Sequence, residues 1–135
     1  MNNSENKDKI KQYYNWFNKG GEIPFEDYFS PDFFDHSGYP NQVRGPEGVR
    51  EGYKTWIKAF PDHRAEIADI VSENDRVVVR TIATGTHEGE FMGIPSTGKK
   101  IRVEGISIFR MDTGLICERW GLIEGEKLIK FLQED

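Results

Sequence analysis

The feature that most constrains the fold is a long run of strand patterns between His63 and Leu122. Apolar and polar residues alternate along it, and two tight turns, Asn74-Asp75 and Asp112-Thr113-Gly114, divide it into hairpins. The pattern predicts strands over 64–71, 76–86, 100–111 and 115–122, with a longer connection over 89–98. A large part of the chain is therefore predicted to form an antiparallel sheet.

Helical patterns lie before and after this run. The first predicted helix, over 5–19, ends at Gly20-Gly21. A second begins with Pro46 at its first turn and stops at Pro61. Shorter helices are predicted over 24–29 and 126–132, and a short strand or an extended arm over 33–36. The apolar stripes of the two longer helices are Ile10, Tyr13, Tyr14 and Phe17, and Val49, Tyr53, Trp56, Ile57 and Phe60.

Helices that precede hairpins indicate an α+β domain with the helices on one face of the sheet. We expect one domain over residues 1–135, since no repeat or low-complexity boundary interrupts the chain. Strand alternation would place Ile116, Glu118, Trp120, Leu122 and Glu124 on one face. Both faces of the sheet are too apolar to be fully wetted. We therefore predict a homodimer through the face that the helices leave open.

Charge and cysteine content exclude several classes of protein. The chain has 135 residues, with 18 Lys plus Arg against 23 Asp plus Glu, so no basic surface for nucleic acid is expected. Cys117 is the only cysteine, which excludes an internal disulfide and a four-cysteine zinc site. No signal-peptide pattern and no apolar run long enough to span a membrane is present. We expect a cytoplasmic protein that binds neither nucleic acid nor membrane.

Three segments, 85–100, 103–110 and 116–122, resemble the SnoaL-like polyketide cyclase family, also called ester cyclases. Asp35-His36, residues 45–49 and Phe60-Pro61-Asp62 fit the same pattern. The resemblance implies a cone-shaped α+β barrel of helices against a curved antiparallel sheet, as in nuclear transport factor 2 and ketosteroid isomerase. It also implies a deep apolar pocket in which a hydrophobic small molecule undergoes aldol-type ring closure by general acid–base catalysis, with no metal and no organic cofactor.

The resemblance assigns the acid–base role to Glu124, four residues after Trp120, where the family usually carries Asp. Desolvation in an apolar pocket would raise the pKa of such a carboxyl towards neutrality. The alternative role of Glu124 is to start the C-terminal helix beside Gly125, where the helix dipole favours a negative charge.

Two histidines are further catalytic candidates. His36 matches a histidine that faces the pocket in relatives, and it is predicted either to orient a substrate oxygen or to be an ordinary hydrogen-bonded residue at the end of an arm. His87 lies where a strand enters the 89–98 connection, which indicates a pocket rim or lid, or alternatively a structural turn. His63, just before a strand, is expected to be exposed.

The remaining predicted site residues are charged groups on the strands and large apolar side chains. Arg80, Glu104 and Glu118 are predicted to point inward, as a structural ion-pair network or as groups that steer a substrate. The candidate substrate-binding walls are Trp16, Phe17, Phe33, Trp56, Phe60, Phe91, Met92, Ile106, Ile108 and Trp120.

Two other functions stay open at the level of sequence. The fold also suits a non-catalytic protein that binds a hydrophobic metabolite. Arg80 with Glu104 or Glu118 loosely imitates the Asp-Arg-Asp arrangement of epoxide hydrolases of this fold, so epoxide opening or dehydration is the other alternative.

Overall fold

Three α-helices pack on a five-stranded sheet in the computed structural model, which describes residues 2–38 and 41–134. The α+β class is confirmed. The elements, in chain order, are α1 (Asn3–Lys19), a 3-10 turn (Phe25–Asp27), β1 (Phe29–Asp35), α2 (Pro46–Ala59), β2 (Arg64–Glu73), β3 (Arg76–Thr86), β4 (Lys100–Asp112), β5 (Leu115–Ile123) and α3 (Gly125–Gln133).

The sheet has the strand order β1-β5-β4-β3-β2. Strands β2 to β5 form the antiparallel meander that the hairpin turns predict, whereas β1 pairs with β5 in parallel and makes the sheet mixed. This pairing joins residues more than 80 positions apart, for example Asp35 with Arg119. No local pattern in the sequence carries that information.

Local sequence sets most of the element ends. Asn2 caps α1 by accepting a hydrogen bond from the Glu5 backbone N–H at 2.9 Å, and α2 begins at Pro46 directly after Gly45, whose φ is +80°. The helix predicted over 24–29 is wrong, because only the three-residue 3-10 turn forms there. Strand β1 begins at Phe29, next to Tyr28, whose carbonyl accepts from the Ile116 N–H.

Two separate apolar clusters form the core between the helices and the sheet. The first cluster joins α1, β1 and one end of β3 and β4; the second joins the end of α2, the start of β4 and α3. The first contains Ile10, Tyr13, Ile23, Phe25, Tyr28, Phe29, Phe33, Tyr53, Val77, Val79, Phe109, Met111 and Ile116. The second contains Ala59, Phe60, Phe91, Ile101, Val103, Leu128 and Leu132.

A bulge in β5 decides which residues face the helices. Arg110 pairs with Glu118 and Met111 with Ile116, so Cys117 is an extra residue and the alternation reverses there. Ile116 is fully buried against the first cluster, and Glu118 and Trp120 point to the opposite side. The expectation that Ile116 shares a face with Glu118 and Trp120 is therefore wrong. We call the helix-covered side the inner face and the other the outer face.

Candidate functional site

The space between the two core clusters is the candidate site, and we call it the cleft. Its floor is the middle of the inner face, which carries small or polar residues on three neighbouring strands. Thr81, Arg119 and Gly121 are only half-buried although they face the helices, whereas the flanking Val79 and Val103 are buried. The floor residues are Thr81, Gly105, Ser107, Arg119, Gly121 and Ile123.

The central positions of the floor carry small residues, and neighbouring side chains pack closely over two of them, Gly105 and Gly121. A Cβ atom on Gly105 would lie 2.9 Å from the Ile123 side chain and 3.6 Å from Thr81 Oγ1, which puts both side chains on the inner face. Ile123 is 53% exposed, so the helices leave this part of the floor uncovered. The walls are half-buried residues of α1 and α2 that pack against the clusters: Tyr14, Phe17, Val49, Trp56 and Ile57.

Arg119 brings a positive charge to the cleft. Its Nη1 donates to Asp35 Oδ2 at 2.8 Å and to Ser37 Oγ at 3.1 Å. Ser37 Oγ donates to Asp35 Oδ1 at 2.6 Å and accepts from the Gly121 N–H at 3.0 Å. The parallel pairing of β1 with β5 creates this network, because it sets Asp35 directly beside Arg119.

Tyr14 extends from α1 towards the same floor. Burial raises the pKa of its hydroxyl, while the nearby Arg119 charge and a hydrogen bond with Ser107 lower it in part. The net shift is upward, so the Tyr14 hydroxyl stays protonated at neutral pH and can donate a hydrogen bond.

Sequence reasoning missed Tyr14, Asp35, Ser107 and Arg119 as site residues. Arg119 lies on the face opposite Trp120, because it pairs with the buried Phe109 of β4. One usable signal was present: Gly105, Ser107 and Gly121 are small residues within otherwise bulky strands.

Glu124 lies directly after β5 at the N-cap position of α3, and its side chain makes no capping hydrogen bond to that helix. Its Oε1 accepts from the Glu104 N–H at 2.8 Å, and its Oε2 lies 3.0 Å from Lys127 Nζ. These contacts, the Glu104 hydrogen bond first, lower the pKa of the carboxyl below its ordinary value. The expected rise towards neutrality is wrong, because hydrogen bonds to the charged form outweigh desolvation. Glu124 is thus the residue that precedes α3, and its catalytic role stays a prediction.

His36 lies on the outer face, away from the cleft. Its ring stacks on Trp120 with centroids 4.6 Å apart, and its Nε2 lies 2.6 Å from Glu118 Oε2. Arg110 Nε donates to the other oxygen of Glu118. The hydrogen bonds from His36 and Arg110 lower the pKa of Glu118. His36 therefore belongs to a hydrogen-bonded cluster on the outer face.

His87 is fully buried beside the second cluster. Its Nδ1 accepts from the Thr97 N–H at 3.2 Å and lies 2.9 Å from Thr97 Oγ1, and no described residue partners its Nε2. Its ring centroid is 5.6 Å from that of Phe60. His63 is also buried, with Nε2 2.9 Å from the Phe17 carbonyl, so its expected exposure is wrong. The structure does not bring His36, His87 and Glu124 together at one point.

The predicted substrate-binding residues are divided between the two faces of the sheet. Arg80 Nε lies 2.6 Å from Asp69 and its Nη1 2.8 Å from Glu104, in a partly exposed ion-pair network that matches the structural interpretation. These groups do not point inward as expected, because the even positions of β3 and β4 face outward. The predicted substrate-binding residues that lie on the outer face are Arg80, Glu104, Ile106, Ile108, Glu118 and Trp120.

The other predicted wall residues have mixed positions. Phe17 and Trp56 border the cleft, and Phe33, Phe60 and Phe91 are buried in the core. Trp16 lines a separate surface cavity of about 350 Å³ with Tyr28, and Met92 is 66% exposed.

Over residues 2–38 and 41–134, no three His, Cys, Asp or Glu side chains lie close enough to share a metal ion. Within the same ranges, no helix is both long and apolar enough to cross a membrane.

Comparison with known proteins places this geometry among relatives. The family model for the SnoaL-like polyketide cyclase matches residues 7–130. Aklanonic acid methyl ester cyclase DauD from Streptomyces sp. (strain C5) is 29% identical over 97 residues, which are 70% of this chain and 58% of that protein. The chain thus aligns with under two thirds of the length of this curated relative.

Solved structures share the fold over nearly the whole chain. TsrD from Streptomyces laurentii superimposes with a TM-score of 0.90 at 24% identity, covering 98% of both chains. IdmH from Streptomyces antibioticus, described as a candidate polyketide cyclase, superimposes with a TM-score of 0.81 at 29% identity. The superposition covers 96% of this chain and 99% of the IdmH chain.

Proposed function

Because the chain belongs to the SnoaL-like polyketide cyclase family, we propose that it is a cyclase-type enzyme acting on a hydrophobic small molecule in the cleft. The proposed reaction is an aldol-type ring closure, or related carbonyl chemistry, that relies on acid–base groups of the chain and on no cofactor. The observation that carries the proposal is the set of polar groups on the cleft floor between apolar walls.

Ring closure by an aldol reaction needs a base for the α-proton and a donor for the developing enolate oxygen. The hydroxyls of Tyr14 and Ser107 are the proposed donors. Tyr14 keeps its proton at neutral pH because its pKa is raised, and Ser107 is 6% exposed. Hydrogen-bond donors that the protein holds in place stabilise an oxyanion more than mobile water molecules do.

Glu124 is the proposed base, as the family resemblance implies. It follows Ile123, whose side chain lies on the cleft floor. Its lowered pKa keeps it ionised at neutral pH, ready to accept a proton. A base of this kind loses activity only as pH falls through its pKa, which lies below the ordinary 4.5. We therefore expect turnover to have no acidic limb between about pH 5 and 7.

Turnover of aklanonic acid methyl ester, the compound in the name of the relatives, tests the assignment. We expect Glu124→Gln to lower kcat/KM by about 100-fold or more, since general base catalysis contributes at least that much. Glu126→Gln, an exposed position in the first turn of α3, is the matched control and should retain full activity. Equal turnover by wild type and Glu124→Gln would remove Glu124 from the mechanism.

A non-catalytic binding protein is the second candidate function. The observation in its favour is that both carboxylate oxygens of Glu124 are already engaged, by Glu104 and Lys127. If native mass spectrometry shows a retained metabolite and no keto ester or acid is turned over, this function replaces the cyclase.

We also propose a homodimer through the outer face. Three apolar side chains there are exposed: Val71 by 61%, Ile106 by 52% and Leu122 by 81%. Exposed apolar groups on one sheet face are typical of an interface. Leu122→Glu should convert the dimer to a monomer in light scattering at micromolar concentration. Met92→Glu, which adds the same charge at an exposed site in the 87–99 connection, should leave the mass unchanged.

A further inference from the structure

The backbone of His87 ties the two ends of the 87–99 connection together. Its N–H donates to the Lys99 carbonyl at 2.8 Å. Its carbonyl accepts from the Gly98 N–H at 2.8 Å and from Ser96 Oγ at 3.2 Å. The connection is therefore a loop whose two ends meet at one residue.

The imidazole ring of His87 adds a second set of contacts to the same loop. Its Nδ1 lies 3.2 Å from the Thr97 backbone N and 2.9 Å from Thr97 Oγ1. Thr97 Oγ1 accepts from the Lys99 N–H at 3.2 Å, which leaves its own hydroxyl proton to be donated to Nδ1. Nδ1 thus accepts from both groups of Thr97, and from this pattern we assign the ring proton of the neutral histidine to Nε2.

The ring is also shielded from solvent. His87 is fully buried, its ring centroid lies 5.6 Å from that of Phe60, and no described residue partners its Nε2. A proton added to Nδ1 would face the two donor groups of Thr97 and would place a positive charge in this buried position. The neutral ring is therefore the form that holds the connection closed.

The charged and titratable groups of the adjoining segments give the ring no counter-ion. Asp62 accepts through both carboxylate oxygens from Thr86, and Lys99 Nζ donates to two carbonyls at the end of α3. His63 Nε2 lies against the Phe17 carbonyl. The other charged side chains of the end of α2, the connection, the start of β4 and α3 are exposed, namely Lys58, Glu88, Glu90, Lys100 and Lys130.

We propose that neutral His87 is a positioning residue that latches the 87–99 connection onto the second cluster. The connection carries Phe91, whose ring centroid is 5.7 Å from that of Trp56, a wall of the cleft. Opening of the latch withdraws Phe91 from Trp56, so the closed latch keeps this wall in place. The role of the latch for the cleft rests on the proposed function, whereas the latch itself is measured without substrate.

Amide hydrogen exchange followed by NMR tests the latch on the full chain at pH 7.5 and 6.0. A histidine released from the loop titrates near pH 6.5, so linkage should raise the population of the open connection about fourfold between these two pH values. The protection factors of the Thr97 and Gly98 N–H groups, corrected for intrinsic exchange, should fall by this factor. The Val79 N–H, in the middle of β3, is the internal control and should keep its protection. We expect the open form to stay a minor population, so turnover keeps the flat pH profile expected above.

Variants separate a latch from a merely structural residue. His87→Asn keeps an acceptor near the position of Nδ1 but cannot be protonated, so its protection factors should be the same at both pH values. His87→Phe fills the space of the ring without an acceptor, and it should lower the protection of Thr97 at pH 7.5 about threefold or more, the scale of one net hydrogen bond. His36→Asn, the same change at a histidine of the outer face, should retain the pH dependence of wild type.

Three results would each overturn the proposal: equal protection of Thr97 at both pH values in wild type, an undiminished pH dependence in His87→Asn, or a parallel fall at Val79, which would indicate global unfolding. If the variants do not fold, ¹⁵N spectra of the wild-type ring decide, because a proton on Nδ1 at pH 7.5 would exclude the latch and a proton on Nε2 alone supports it. A pH-dependent latch without turnover of any keto ester or acid removes the cyclase alone, and turnover without the latch removes the latch alone.

Discussion

Phe60 is the position where a single truncation should cost most stability. It ends α2 and is fully buried in the second cluster, with its ring centroid 4.5 Å from that of Trp56 and 5.3 Å from that of Phe91. Phe60→Ala would leave a cavity where α2, β4 and α3 meet. We expect a loss of about 3–5 kcal/mol in the free energy of unfolding, the usual cost of removing a buried phenyl ring.

Urea denaturation followed by tryptophan fluorescence measures this loss. With a slope of about 2 kcal/mol per molar urea, the midpoint should fall by roughly 2 M. Met92→Ala, 66% exposed beside Phe91, is the control and should change stability by less than about 0.5 kcal/mol.

If Phe60→Ala does not fold, Phe60→Leu should still lower the free energy of unfolding by about 1–2 kcal/mol. A midpoint shift below about 0.5 M for Phe60→Ala would refute the reasoning. It would mean that the second cluster does not anchor the end of α2.

Two further predictions concern the backbone and acid. Gly89→Ala should destabilise the protein by about 2 kcal/mol or more, since its Cβ would overlap the Lys58 carbonyl oxygen. Gly52→Ala, in open space within α2, should stabilise it by about 0.5–1 kcal/mol. Thermal melts check the pair, because the unfolding temperature should decrease in the first variant and increase in the second. The lowered pKa values of Glu118 and Glu124 mean that their stabilising effect is present above the ordinary 4.5 and is lost as pH falls through the folded-state value. The thermal unfolding midpoint should therefore decrease when the pH is lowered below about 4.5. In Glu118→Gln this decrease should be smaller, and an equally steep decrease in wild type and Glu118→Gln would contradict the role of His36 and Arg110.

Local patterns in the sequence determined the secondary structure well. The four strands of the meander lie within two residues of the expected bounds, and α2 starts at Pro46. Both follow from short-range physics: alternation, tight turns and a proline at the first turn of a helix each act over a few residues. The order of helices and hairpins also predicted the α+β class, and the family resemblance implied the same architecture.

Tertiary structure decided the site. The parallel pairing of β1 with β5 set Asp35 beside Arg119, and the bulge at Cys117 turned Glu118 and Trp120 outward. One extra residue in a strand exchanges its two faces, so a strict period of two assigned Ile116 to the wrong side.

The chemical state of each candidate also depended on distant neighbours. The pKa of Glu124 is lowered by a hydrogen bond from Glu104, twenty positions earlier in the chain, and His63 is buried by its contact with Phe17 in α1. Residue type and spacing are properties of the sequence. Exposure, protonation and convergence on a ligand arise only when segments far apart in the chain pack together, because solvation and charge act through space.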